Sequence, residues 1–195
     1  MIHHWHGTIA LIQQALAEDD VLYDVTSALL PDNLSSEAFI MPKADGVVAG
    51  IDVALAVFQQ VDPSLETQAF VPDGTRVERG QHIASIRGRM SSILRAERTA
   101  LNFIQRMSGV ATATHEFVRA VEGTQATVVD TRKTVPGWRA LDKYSVRMGG
   151  GHNHRMTTAD GVLIKDNHIA AMARRGESMT ELIQRAKRQS PHTIR

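Results

Sequence analysis

The chain has 195 residues, 43% of them hydrophobic and 22% charged, with 22 basic and 21 acidic side chains and a formal net charge of +1. That balance excludes a disordered chain and the strongly basic field of a typical nucleic-acid binder. At this length a folded chain buries roughly 70% of its unfolded surface, so a sizeable core is expected. No cysteine is present, which removes disulfides, thiolate metal sites and cysteine nucleophiles and points to the cytoplasm. No apolar run approaches the ~20 residues of a membrane span, and the opening MIHHWHGTIA lacks the basic and apolar regions of a signal peptide.

Along the chain, apolar side chains at helical spacing predict a helix over 8–17. Asp24-Val25-Thr26 with Ser27 reads as a polar turn. Residues 37–41 and 47–49 read as short strands joined by an Asp45-Gly46 hairpin turn. A second helix, 51–61, stops at Asp62-Pro63. Strands follow near 67–71 and 82–87, with turns at Asp73-Gly74 and Gly80. Residues 1–90 therefore read as a small α+β domain. The stretch VPDGTRVERGQHIASIRG resembles the two-turn hairpin of biotinyl and lipoyl carrier domains. No lysine lies between Lys43 and Lys133 to carry a cofactor, so the hairpin reads as structural.

Ser91 and Ser92 read as N-caps of a long helix reaching about Glu122. On it Arg98, Asn102 and Gln105 recur at i, i+4 and i+7, and Gly109 continues the stripe. Such a stripe is either the wet side of the helix or the wall of a cleft. Ser108-Gly109 marks a break or a close contact. Residues 126–131 (ATVVDT) read as a buried strand, and Pro136 is expected to open a helix running through Met148, ended by Gly149-Gly150-Gly151. Residues 161–165 (GVLIK) read as the next strand, and a last helix spans 178–189 with Ser178 and Glu181 in capping-box register. A further strand begins at Thr193. This alternation predicts parallel βα units over 91–195.

A full (β/α)₈ barrel takes roughly 200–250 residues, and only 105 follow position 90. The expected fold class is thus α/β: a small N-terminal α+β sandwich followed by the first part of an incomplete, open α/β barrel. Its sheet edge would be exposed, and aggregation-prone, unless a partner covers it.

Between Asp130 and His168 lie seven Lys/Arg against four Asp, with three histidines. That local excess is either a solvated charged face or a site for a small anion. Arg132 and Lys133 follow directly on one expected strand and Lys165 ends the next, and in parallel α/β folds ligands sit at the carboxyl ends of strands. His154 and Arg155 follow the glycine run, and arginine grips a carboxylate through two parallel hydrogen bonds. His152 and His154 could form a metal pair, but no carboxylate or thiolate cluster accompanies them, so no protein metal site is expected. A ligand with several negative charges, held by Arg98, Arg132, Lys133, Arg155 and Lys165, is the reading that remains. No serine-hydrolase elbow, zinc-protease motif or P-loop occurs.

Three segments carry a resemblance: AERTALNFIQRMSGVAT (96–112), VDTRKTVPGWRALDKYSVRMGGGHNHR (129–155) and VLIKDNHI (162–169). Together with Asp24-Val25-Thr26 and KADGVVAG (43–50), they closely resemble quinolinate phosphoribosyltransferase, also called carboxylating nicotinate-nucleotide pyrophosphorylase. A molybdenum-transport-associated paralogue shares much of the pattern. The resemblance implies transfer of phosphoribose from phosphoribosyl pyrophosphate to quinolinate with loss of CO₂, giving nicotinate mononucleotide on the route to NAD, with Mg²⁺ accompanying the pyrophosphate. It implies a quinolinate site at Arg98, Thr131, Arg132, His154, Arg155 and Lys165, with Lys133 on the phosphoribosyl side, and Lys133 and Lys165 as the catalytic positions. It also implies a homodimer in which Arg98 reaches the neighbouring subunit's site. Family members continue through further βα units that carry a glutamate, an aspartate and glycine-rich phosphate turns. The expectation is therefore a chain shortened at its C-terminus that binds quinolinate and makes essentially no nicotinate mononucleotide. The alternative is a non-catalytic remnant or a dicarboxylate-binding partner of an intact homologue.

Overall fold

The computed structural model describes residues 7–189. Helix α1 (Thr8–Glu18) and helix α2 (Ile51–Val61) stand where the apolar periodicity places them. Ile12 and Leu16 bury one face of α1, while α2 buries most of its length, from Ile51 through Phe58. Two 3₁₀ turns, Val21–Tyr23 and Ser27–Leu29, follow α1. The second is set by Asp24, whose carboxylate accepts the Thr26 and Ser27 N–H groups at 2.9 and 3.0 Å. The Ser27 hydroxyl and N–H hold the Asp24 carboxyl below its ordinary range.

Five strands follow: β1 (Ser35–Ile40), β2 (Gly46–Val47), β3 (Glu66–Ala69), β4 (Arg76–Val77) and β5 (Ala84–Arg89). β5 is central in an antiparallel sheet of order β1-β5-β3, with Ser35 opposite Arg89 and Glu66 opposite Arg87. β2 pairs instead with β4. The expected hairpin at Asp45-Gly46 therefore does not form. Gly46 belongs to β2, and Asp45 accepts the Arg79 N–H at 2.9 Å, drawing its segment toward β4.

The long helix α3 (Met90–Ala120) is unbroken. Ser91 and Ser92 are not its N-caps; both are buried in the first turn, Arg89 occupies the cap position, and Ser92 Oγ donates to Asp62 Oδ2 at 2.7 Å. Bonds from Ser64 and Ser92 hold the Asp62 carboxyl low. Ser108 marks a close contact rather than a break, its hydroxyl accepting the Ala49 N–H at 3.0 Å. The approach depends on Gly50, where a Cβ would meet Met107 Sδ at 2.5 Å and the backbone has φ +91°. α2 packs on α3, β3 and β5, and α1 on α2 and α3. Phe103, Met107, Ile86, Val53 and Val57 are buried at the centre of this core. Each such side chain contributes roughly 1.5–3 kcal/mol on full burial.

Beyond α3 the expected strand over 126–131 reduces to one parallel bridge, Val129 opposite His152. A ladder extends only where a neighbour supplies successive partners, and Val129 stays 53% exposed. Pro136 does not open a helix. It lies in a turn with Gly137 at φ +80°, and α4 (Arg139–Met148) begins after Trp138. The glycine run does end α4, and Gly149 is required there because a Cβ would stand 2.3 Å from the Ala111 carbonyl oxygen of α3. Tyr144 ties α4 to the N-terminal elements, donating to Asp73 Oδ2 at 2.8 Å, while Asp73 accepts the Gly50 and Ile51 N–H groups at the start of α2. Burial, then the hydrogen bond to Asp73, pushes the Tyr144 hydroxyl pKa well up.

The chain divides into two compact units, one ending at Asn153 and one beginning at His154. In the second, residues 161–165 are not a strand; Val162 and Leu163 are 44% and 48% exposed and no β-partner lies beside them among the described residues. A helix not expected from sequence, α5 (Asp166–Ala173), starts there, and α6 (Met179–Gln189) follows with the expected capping box. In that box Ser178 N–H donates to Glu181 Oε2 at 2.7 Å and Glu181 N–H to Ser178 Oγ at 3.3 Å. The strand expected from Thr193 lies outside the described residues.

Candidate functional site

The single parallel rung positions the first group of candidate residues. Asp130 N–H donates to His152 O at 3.1 Å and His152 N–H to Val128 O at 2.9 Å. Immediately after it, Thr131 Oγ1 accepts the Lys133 N–H at 3.0 Å, a side-chain turn that lifts the chain off the rung. Thr131 and Lys133 are exposed and line a cavity of about 260 Å³ with Arg106, Asp142 and Lys143. Arg132 is half-buried, and its Nε is buried without a hydrogen-bond acceptor. Buried donors in folded proteins are nearly always paired, so a group of this kind suits an anionic acceptor.

The wall of that cavity is a set of ion pairs. Arg106 donates to both oxygens of Asp142, at 2.9 and 3.1 Å, and its guanidinium lies 5.3 Å from the centroid of Trp138. Trp138 in turn stacks on Phe103 at 4.9 Å. Asp142 also accepts the Val135 N–H at 3.3 Å, and Arg139 Nε donates to Thr134 Oγ1 at 3.2 Å. The buried Lys143 ammonium meets the Asp130 carboxylate. None of Arg106, Asp142, Lys143 or Asn153 stands out in the sequence, because their pairings cross from α3 and from residue 130 to α4. Lys143 lies two residues from Leu141, about 200° round a short helix, so apolar periodicity gives no signal that it turns inward.

Arg98 lies elsewhere on α3, exposed, and lines a second cavity of about 590 Å³ with Lys43, Gln105, Ser108 and Gly109. The expected stripe splits. Asn102 lines a third cavity, of about 630 Å³, with Gln14, Glu18 and Trp138. A helix turns ~100° per residue, so Asn102 lies ~40° to one side of Arg98 and Gln105 ~20° to the other.

His154, Arg155 and Lys165 belong to the second unit. Arg155 is half-buried and donates through Nη1 to Gly161 O at 2.6 Å. Asp160 closes the intervening loop, accepting the Met156 and Thr157 N–H groups at 2.8 and 2.7 Å. The Thr157 N–H is the main cause of its lowered pKa. His154 is exposed. Lys165 is exposed at the N-cap of α5, its N–H donating to His168 Nδ1 at 3.0 Å. Among the described residues, no group of three His, Asp or Glu could hold a metal ion.

Family models of the quinolinate phosphoribosyl transferase N-terminal and C-terminal domains match residues 24–108 and 110–195. The chain is 36% identical to the solved nicotinate-nucleotide pyrophosphorylase of Ehrlichia chaffeensis, covering 95% of itself and 68% of that chain with a TM-score of 0.85. It belongs to the quinolinate phosphoribosyltransferase family. The solved NadC of Streptococcus pyogenes is similar at a TM-score of 0.88 and 36% identity, over 95% of this chain and 65% of that one. A decarboxylating quinolinate phosphoribosyltransferase, 1b, of Nicotiana tabacum is 46% identical over 171 residues, 87% of this chain and 48% of the relative. A probable nicotinate-nucleotide pyrophosphorylase of Bacillus subtilis is 39% identical over 184 residues, 94% of this chain and 62% of the relative. The chain thus spans about half the length of the tobacco relative. Its class is the one this family implies: α/β, a small N-terminal α+β sandwich followed by the first part of an α/β barrel.

Proposed function

We propose that this chain binds quinolinate and takes part in its decarboxylating phosphoribosyl transfer from phosphoribosyl pyrophosphate, yielding nicotinate mononucleotide, pyrophosphate and CO₂. The observation that carries the reading is the turn at 131–133. Within a chain of this family, it sets Thr131 and Lys133 on a cavity beside Arg106, and leaves the Arg132 Nε without an acceptor. Quinolinate brings two carboxylates, and Arg98, Thr131, Arg132, His154, Arg155 and Lys165 are assigned to them. Lys133 is assigned to the phosphoribosyl donor. Lys133 and Lys165 are the proposed catalytic groups. Fixed cations stabilise the negative charge left on the ring carbon as CO₂ departs, and do so most strongly where water is excluded.

Mg²⁺ belongs to this proposal as the ion that accompanies pyrophosphate. The described residues gather no carboxylate cluster for it, so no step is assigned to a protein-held metal. The sandwich of residues 1–90, the barrel part of 91–195, a homodimer with Arg98 serving the neighbouring site, and a cytoplasmic location complete the reading. Relatives named mitochondrial and chloroplastic are also among those matched.

The test is calorimetric titration with quinolinate, alongside an assay of nicotinate mononucleotide in the presence of phosphoribosyl pyrophosphate and Mg²⁺. Arg132→Ala is expected to weaken binding by ~10-fold or more, since each hydrogen bond to a charged group contributes about 1.5–3 kcal/mol. Saturable quinolinate binding that is insensitive to Arg132 and Lys165 would remove the site assignment. Absence of any binding would remove the function.

A further inference from the structure

Lys143 is the most deeply buried charge of the described chain, its side chain 1% exposed on α4 between Leu141 and Ser145. Its ammonium meets the Asp130 carboxylate, itself 8% exposed. The other oxygen of that carboxylate accepts Asn153 Nδ2 at 2.5 Å, and the same amide donates to the Lys143 carbonyl at 2.8 Å. Two separate segments therefore close on the carboxylate at the end of the bridge: α4, and the residue two past the glycine run. The residues that leave Asp130 along the chain are Thr131, Arg132 and Lys133.

Stability alone is a poor reason for this arrangement. Desolvating an ammonium and a carboxylate offsets most of their attraction, and apolar side chains of similar volume hold a core at least as well. An ion pair with a third hydrogen-bonding partner does something an apolar contact does not: it fixes direction. Asp130 is gripped from two sides, so the backbone that follows it leaves in one orientation.

We propose that Lys143 is a positioning residue, which acts with Asn153 through Asp130 to set the orientation of the turn at 131–133. This rests on the reading of that turn as an anion-binding element. The corollary is selectivity: a correctly aimed turn engages both carboxylates of a pyridine dicarboxylate, and a misaimed turn loses the second.

The test uses the whole chain, titrated with quinolinate and with nicotinate, which has one carboxylate fewer. Melting temperature and backbone amide exchange are followed in parallel. Asn153→Ala leaves the buried ion pair in place but removes two hydrogen bonds, so it is expected to fold and to melt a few degrees below the parent. It should weaken quinolinate by about tenfold, the scale of a small misplacement of binding groups, and nicotinate much less. The unliganded variant should also exchange its amides at 131–133 about tenfold faster. Lys143→Met should show the same pattern where it folds, and where it does not fold Asn153→Ala decides alone. An unchanged ratio of the two affinities, or unchanged exchange at 131–133, overturns the proposal. If the parent chain binds neither acid, the functional reading fails, and the exchange measurement still decides whether Asp130 and its partners set the turn.

Discussion

Up to Asn153, each of the helices α1 to α4 buries side chains, whereas neither α5 nor α6 buries one. Both regions carry apolar side chains at helical spacing. In the second, Ile169, Met179 and Ile183 remain 40–41% exposed. Periodicity names the face a helix will bury, and the free energy of burial is realised only against a surface that meets it. α6 draws instead on local interactions: the Ser178–Glu181 box and the Glu177–Arg185 ion pair. Exposed pairs of that kind contribute only a few tenths of a kcal/mol each.

The sharpest way to break this contrast is to remove comparable apolar volume on each side. Phe103→Ala, in the buried stack with Trp138, is expected to cost about 3–5 kcal/mol in urea unfolding. Gly149→Ala comes next, at ~1–3 kcal/mol, because the added methyl would be pressed into the α3 backbone at Ala111.

Acid titration probes both regions more gently, since lowered carboxyl pKa values occur at Asp24 and Asp62 in the first unit and at Asp160 and Glu181 in the second. Asp24 and Asp62, both in the first unit, have lowered pKa values, so their contribution is complete above an unfolded pKa near ~3.9 and is lost as pH falls through the folded value. Asp62→Asn is therefore expected to flatten the loss of stability between about pH 4 and 2, read from melting temperature against pH.

The smallest effect belongs to Ile183→Ala, expected within about ±0.5 kcal/mol. A cost above ~2 kcal/mol there would mean that α6 packs in solution, and the contrast would fall.

The same contrast marks what the sequence makes legible. α1, α2, α3 and the α6 cap are written in periodicity and in side chains a few residues apart, and each stands where those signals put it. The pairing of β2 with β4 is not local, and an Asp-Gly pair between apolar runs reads as a hairpin whichever strand it joins. Residues 126–131 and 161–165 have the composition of strands, but a strand is a relation between two segments, and only Val129 has its partner. α5 is signalled weakly, by Asp166 in the first turn and His168 accepting the Lys165 N–H. Arg132 and Lys133 stood out as charges following an apolar run. Lys143, equally charged, did not, because its importance depends on the helix register that turns it inward toward Asp130.

The bond between Tyr144 and Asp73 has a consequence for the order in which the chain assembles. Asp73 lies 22 and 23 residues after the two amides of α2 that it caps, whereas Tyr144 arrives 71 residues later still. On a ribosome the first contact closes as soon as the sandwich has emerged, and the second has to wait for α4. Loop-closure entropy makes the later contact the slower one. The tyrosine donates to Asp73 Oδ2, the same oxygen that accepts the Gly50 N–H. A single carboxylate thus ties the start of α2, made early in the chain, to α4, made late, through three hydrogen bonds to one side chain.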